Sequence, residues 1–377
     1  MNSSYTSDTG GLHLRHQQTR ESLEIERIRD RIRAAAADGR PLRIHGGGTK
    51  DFYGESLAGD PLDVRALRGI VAYAPAELVV TAGAATPLAE IEDALAEHGQ
   101  MLAFEPPHHG PGATLGGVVA AGFSGPRRPH AGAVRDFVLG VRIVDGTGEA
   151  LAFGGQVIKN VAGFDVSRLM TGALGTLGVL TEISLKCLPR PKVESTRVVD
   201  CSGADAIRLV NEWGGKPLPI SATCFRGGRL WVRLSGAAAA VEAARSTIGG
   251  AEVDGAAFWC DVRDQTLDYF APAAQGDATL WRLSVASTAP WTNLPGEQLI
   301  EWGGALRWVF GREASAGTAL RAWAAQHGGH ATLYRGRDKA VGAFAPLSET
   351  MRGLHRRLKD VFDPKRVLNP GRMYAAL

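Results

Sequence analysis

The stretch "LRIHGGGTKDFYG", Leu42 to Gly54, sets Gly46, Gly47 and Gly48 directly behind a short apolar run that ends at Ile44. Adjacent glycines weaken helix and strand alike through backbone entropy. They belong where the chain takes a positive φ or comes close to another group. Backbone N–H groups in such a loop can converge on an anion because no Cβ blocks it. The loop lacks the G-x-x-x-x-G-K-[ST] spacing of a nucleoside triphosphate loop, and no G-x-G-x-x-G leads from it into a helix. Taken alone, it reads equally as a plain turn or as a phosphate cradle.

Outward from the loop, the composition sets bounds. The chain has 377 residues, 45% hydrophobic and 21% charged, which suits a folded protein long enough for two domains. Its formal charge of +3 is small and its arginines are scattered, so nucleic acid is not an expected partner. Its 48 glycines exceed the usual share and point to turns and close ligand contacts. Cys187, Cys201, Cys224 and Cys260 stand far apart without a C-x-x-C pair. That spacing argues against an iron–sulfur cluster or structural zinc held by this chain alone, and no metal site is expected. The polar start "MNSSYTSDTGGLHLRHQQTR" has no apolar core for a signal peptide, and no later run reaches membrane-spanning length. A cytoplasmic protein is expected, with residues 1–20 disordered.

Periodicity divides the rest. Leu23, Ile25, Ile28 and Ile32 keep helical spacing from Glu21, and a short strand covers Leu42 to Ile44. "ELVVTAGAATPLAEIEDALAEHGQ" predicts a strand and then a helix with Thr86 as N-cap, Pro87 at its first position and Gly99 past its end. "DFVLGVRIVDGTGEALAFGG" predicts a hairpin turning at "DGTG", and "GVLTEISLKCL" a further strand. After a proline-bearing hinge at Leu188 to Glu194 the texture changes, with more tryptophan and with strand-like runs such as "RLWVRLSG" and "LWRLSVAST". The expected organisation is a first domain over 21–190, a second over 195–345, and a tail, 346–377, that folds back on the first.

Two further glycine clusters join the opening loop. "PPHHGPGATLGGVVAAGFSGPRR", Pro106 to Arg128, carries "GATLGG" into a helix-like run, and "TGALGTLGVL" brings Gly172 to Gly178 to the start of a strand. Three such loops in one domain exceed what turns require.

In this order the fragments resemble the FAD-binding domains of the vanillyl-alcohol oxidase and p-cresol methylhydroxylase (PCMH) type, and within that type the FAD-binding subunits of bacterial glycolate oxidases. The resemblance runs from "LRIHGGGTKDFYG" through "FEPPHHGPGATLGG" and "FGGQVIKNVAGFDVSRLM" to "EWGGALRW", "GGHATLYRG" and "FDPKRVLNPGRMY". It implies an α+β fold: a PCMH-type FAD-binding domain with a second α+β cap domain built on an antiparallel sheet. It implies that Gly46, Gly47, Gly48, Thr49 and Lys50 hold the FAD pyrophosphate. Gly112, Ala113, Thr114, Gly116, Gly117, Ser124 and Gly125 would contact pyrophosphate and flavin, Gly175, Gly178 and Val179 the adenosine half, and Asn369 the ring. Some relatives tether the flavin through a histidine where this loop has Thr49, so non-covalent FAD is expected.

The implied activity is oxidation of glycolate, a small 2-hydroxy acid, to glyoxylate. Electrons would pass through the flavin to an iron–sulfur subunit, F, beside a second flavoprotein subunit, D. The complex would hold the chain at the periphery of the inner membrane. A non-catalytic, FAD-loaded structural or relay subunit, or a sugar-lactone type oxidase on the same fold, stays open as an alternative. No catalytic base stands out. His108, His109, Arg282 and His330 are the candidates, while Trp281 and Trp302 read as core, and Lys159 and Asn160 as turn residues. Related 2-hydroxy-acid dehydrogenases carry a metal-assisted H-x-G-D-G-N-x-H motif whose Asp and Asn are absent around His327 and His330.

Overall fold

Val79–Gly83 is buried at all five positions, as the middle of a sheet covered on both faces must be. It lies second in a five-stranded antiparallel sheet ordered Ile70–Ala74, Val79–Gly83, Val179–Lys186, Val138–Val144 and Ala150–Gly154. The last two strands form the hairpin expected at "DGTG", with Val144 opposite Ala150. The computed structural model describes residues 9–155, 165–294, 297–311 and 314–375, with the backbone alone for 9–20, 314 and 315. Lys159 and Asn160 lie outside the described residues.

Helices cover this sheet because their apolar residues recur at i, i+3 and i+7. Leu88–Glu97 buries Leu88, Ile91 and Leu95, each stabilising by about 1.5–3 kcal/mol. Thr86 does not cap this helix. Its hydroxyl accepts the Gly69 N–H at 2.9 Å and donates to Gly83 O at 2.6 Å, so the helix opens after Pro87. The first helix runs Thr9–Asp38, so residues 9–20, expected without structure, have helical backbone.

A second, eight-stranded antiparallel sheet follows the hinge. Its order is Ala251–Val253, Val193–Asp200, Arg229–Gly236, Ile220–Arg226, Gln298–Glu301, Leu306–Gly311, Thr279–Ser284 and His330–Arg335. One of its faces packs on helices such as Gly203–Gly214. The other shares a core with Tyr53, Phe123 and Leu174 of the first unit. The α+β class with an antiparallel-sheet second unit is thus the observed architecture.

The tail returns by a built route. After the helix Glu349–Phe362, Asp363 accepts the N–H groups of Val367 and Leu368. Lys359 Nζ, buried, binds Asp363 Oδ2 at 2.7 Å, Thr176 O at 2.7 Å and Leu368 O at 2.8 Å. Residues 367–369 then run along the strand Leu42–His45, where the Leu42 N–H donates to Val367 O at 2.7 Å.

Candidate functional site

Leu42–His45 pairs in parallel with Asp60–Asp63 on one edge and meets the tail on the other. Beyond His45 the ladder runs out. Among the described residues the backbone N–H groups of Gly46, Gly47, Gly48 and Thr49 donate to no protein acceptor. Gly47 is exposed and the other three are half-buried, so these four donors in sequence are open to water or to a bound anion. They border a cleft of about 130 Å³ between the two outer glycine loops. Gly48 takes φ 69°, where a side chain is strained. A Cβ on Gly47 would stand 1.7 Å from Gly112 O, so the second glycine loop packs directly on the first.

The cleft brings together most of the positions expected to hold FAD: Gly46 to Lys50, Thr114, Gly116, Gly117, Gly175, Gly178 and Asn369. Thr114 caps the short helix Leu115–Ala121 by accepting the Gly117 N–H. Asn369 fixes three segments at once, with Oδ1 accepting from Ile44 N at 2.8 Å and Nδ2 donating to Leu174 O at 2.7 Å. Ala113 and Val179 are core residues outside the cleft, and Gly112 supports Gly47. Ser124 and Gly125 line a separate cavity. Sequence reading passed over Ala84, Ala85 and Leu180, small or apolar walls, and Arg372, whose guanidinium binds Asp51 O at 2.9 Å.

Lys50 Nζ sits 3.0 Å from Thr49 Oγ1 and 3.3 Å from His108 O, and burial brings its ammonium down to about 8. His109, at φ 54°, lies among Phe52, Phe123 and Tyr334, with Nε2 3.1 Å from the Tyr334 hydroxyl. Burial, then the nearby Lys50 charge, pushes His109 down to about 3, so it is neutral at neutral pH. His108 is not beside it in function: its Nε2 stands 3.0 Å from Glu92 Oε2, and its N–H donates to Asp264.

His330 is exposed at the start of its strand, and His327 packs on Trp323. No group of three or more His, Cys, Asp or Glu able to hold a metal occurs among the described residues. Trp281 and Trp302 are buried. Arg282 lines the cavity of Ser124 and Gly125, about 30 Å³, together with Tyr334, Trp308 and Glu301. Glu301 was missed in the sequence; its only signal was one acid closing the apolar run "QLIEW". Burial raises its carboxyl to about 7.

Residues 23–154 match a family described as "FAD binding domain". The chain is 49% identical to glycolate oxidase subunit GlcE of Escherichia coli (strain K12) over 95% of its own length and 99% of that protein. It is 37% identical to glycolate oxidase subunit GlcD of Bacillus subtilis (strain 168) over 25% of this chain and 20% of the relative. The fold superimposes on p-cresol methylhydroxylase with a TM-score of 0.72 at 14% identity, over 93% of this chain and 87% of that one.

Proposed function

The chain belongs to the family of glycolate oxidase subunit GlcE and carries an FAD binding domain, and from that premise we propose that it is the FAD-loaded subunit of a multi-subunit enzyme that oxidises glycolate to glyoxylate. The observation that carries this reading is the row of N–H groups at Gly46 to Thr49 that donate to no acceptor among the described residues. A diphosphate supplies the acceptors such a row lacks, and the small-residue walls at Ala84, Ala85, Gly116 and Gly117 leave room for a flat ligand. The residues present therefore fit FAD. When bound, FAD supplies a two-electron acceptor for hydride.

In this reading the loop binds the diphosphate, Gly175 and Gly178 border the adenosine half, and Asn369 holds the loops in place beside the ring. Thr49 has no nucleophilic ring nitrogen, so the flavin is held without a covalent bond. The unit over 21–190 with its returning tail, 346–377, forms the flavin site, and 195–345 forms the cap.

Electrons leave through partners. The four cysteines stand apart, two of them buried, which gives the chain no cluster of its own. The reading therefore includes a second flavoprotein of the GlcD type and an iron–sulfur subunit. No helix among the described residues is long and apolar enough to cross a membrane. The reading places the assembly in the cytoplasm or on the inner membrane surface.

The test is purification with and without the partners, with dye-linked glycolate oxidation measured on each preparation. The assembled complex is expected to turn over and the isolated chain to show little steady-state activity. Full turnover by the isolated chain at the rate of the complex would make it a self-sufficient dehydrogenase.

A further inference from the structure

Among the described residues five large apolar side chains are exposed: Leu23, Val71, Met351, Leu354 and Val361. The first two stand singly, as scattered surface residues do, and need no explanation. The other three fall on one helix of 14 residues, Glu349–Phe362. Met351 and Leu354 are each 42% exposed and Val361 is 71% exposed. Leu354, Arg357 and Val361 recur at i, i+3 and i+7, so they share one outward face.

The exposed side of this helix also carries charge that the chain does not answer. Arg352, Arg356 and Arg357 are exposed, and none forms an ion pair with a carboxylate among the described residues. Arg352 reaches Leu347 O at 3.4 Å. Of the two acids on the helix, Asp360 is taken by Arg366 at 2.6 Å, and Glu349 lies in the first turn, where the helix dipole favours it.

The inner side of the helix braces the cleft between the glycine loops. Lys359 and Phe362 are buried, and Lys359 Nζ holds Thr176 O at 2.7 Å, in the turn between Gly175 and Gly178 that borders the cleft. A body seated on the outer face therefore lies against the element that supports the third glycine loop.

We propose that the outer face of Glu349–Phe362 is the docking surface for a partner subunit that presents an apolar stripe rimmed by carboxylates. This rests on the reading above that the chain works in a multi-subunit enzyme. Composition selects a protein over a bilayer. Protein interfaces are enriched in Met and Arg and poor in Lys. Here Met351 is exposed, the three exposed cations are arginines, and the one lysine of the helix is buried. A guanidinium fork grips a carboxylate through two parallel hydrogen bonds, which supplies the charge match. A helix lying on lipid carries a broad apolar face with large side chains such as Trp and Phe, whereas Phe362 is turned inward.

The test is co-expression of the tagged chain with the second flavoprotein and the iron–sulfur subunit, with the partner recovered per chain as the readout. Leu354→Asp with Val361→Asp, and separately Arg356→Glu with Arg357→Glu, are each expected to lower that recovery about tenfold or more. Flavin content and melting temperature should stay those of the unaltered chain, because none of these four side chains is buried. Val71→Asp, at an exposed apolar residue of the edge strand Ile70–Ala74, is the control and should recover the partner in full. Full recovery in both paired variants, or an equal loss in Val71→Asp, would overturn the surface and leave the proposed function standing. So would flotation of the isolated chain with phosphatidylglycerol vesicles that Leu354→Asp with Val361→Asp abolishes, which would assign the face to lipid. A dimer of the isolated chain that the same pair dissolves would overturn it in favour of a second copy. A chain that joins neither subunit would remove the proposed function and this surface together.

Discussion

Asn369 reaches back across almost the whole chain to accept the Ile44 backbone N–H at 2.8 Å, and its amide nitrogen donates to Leu174 O at 2.7 Å. One side chain thus closes the tail on the strand that launches the first glycine loop and on the turn that ends at Gly175. A Cβ on Gly175 would come within 2.8 Å of the same amide, so that glycine is set by Asn369 as well as by its φ of 71°.

Asn369→Ala removes both bonds and leaves a half-buried N–H and a buried C=O without these partners. A loss of about 2–3 kcal/mol is expected, with the flavin-to-protein ratio falling alongside. Denaturant titration and flavin content measure the two effects, and a stable variant with full flavin would separate the tail from the site.

Gly47→Ala places a methyl on Gly112 O, a backbone atom that cannot swing away. The two glycine loops must separate, so flavin content is expected to fall and stability to drop by about 1–3 kcal/mol or more. Gly214→Ala is the control. A Cβ there meets nothing within 4 Å, and the change should be neutral or slightly stabilising.

Acid precipitation of the purified chain is expected to release its FAD into the supernatant, because Thr49 stands where a tethering histidine would be. Flavin that stays in the pellet after washing would show a covalent bond elsewhere.

Glu301 gives stability a pH dependence. Its folded carboxyl lies at about 7 against an ordinary 4.5, raised by burial and by Glu105 and opposed by the Trp308 hydrogen bond and Arg282. The folded state therefore binds this proton more tightly. The contribution is full below the ordinary value and is lost as pH rises through about 7, by no more than about 3 kcal/mol. Glu301→Gln should flatten that part of the profile in chemical denaturation, and an unchanged profile would assign the slope to other groups.

Much of this was legible in the sequence because the local signals agree. The "DGTG" hairpin, the helix-like run after "GATLGG" and the strand at Val179–Lys186 each have a local pattern pointing one way. Thr86 misled because a hydroxyl two residues before the helix looks like a cap, and only the fold shows Gly69 and Gly83 taking it. The glycine loops declared close approach but not its partner: Gly47 is bare because Gly112 is there. Arg282 was a candidate from the sequence, but Glu301 and its place beside Arg282 were obscure for another reason. They come from different strands and meet only across Leu306–Gly311, so no spacing in the chain links them.

The most direct test is anaerobic mixing of the purified, flavin-loaded chain with glycolate while its visible flavin absorption is followed. The account predicts that the chain's own flavin bleaches in a single turnover and that turnover continues only when the partner subunits are added. A flavin that stays oxidised under glycolate, while the assembled complex oxidises the same substrate, would contradict it.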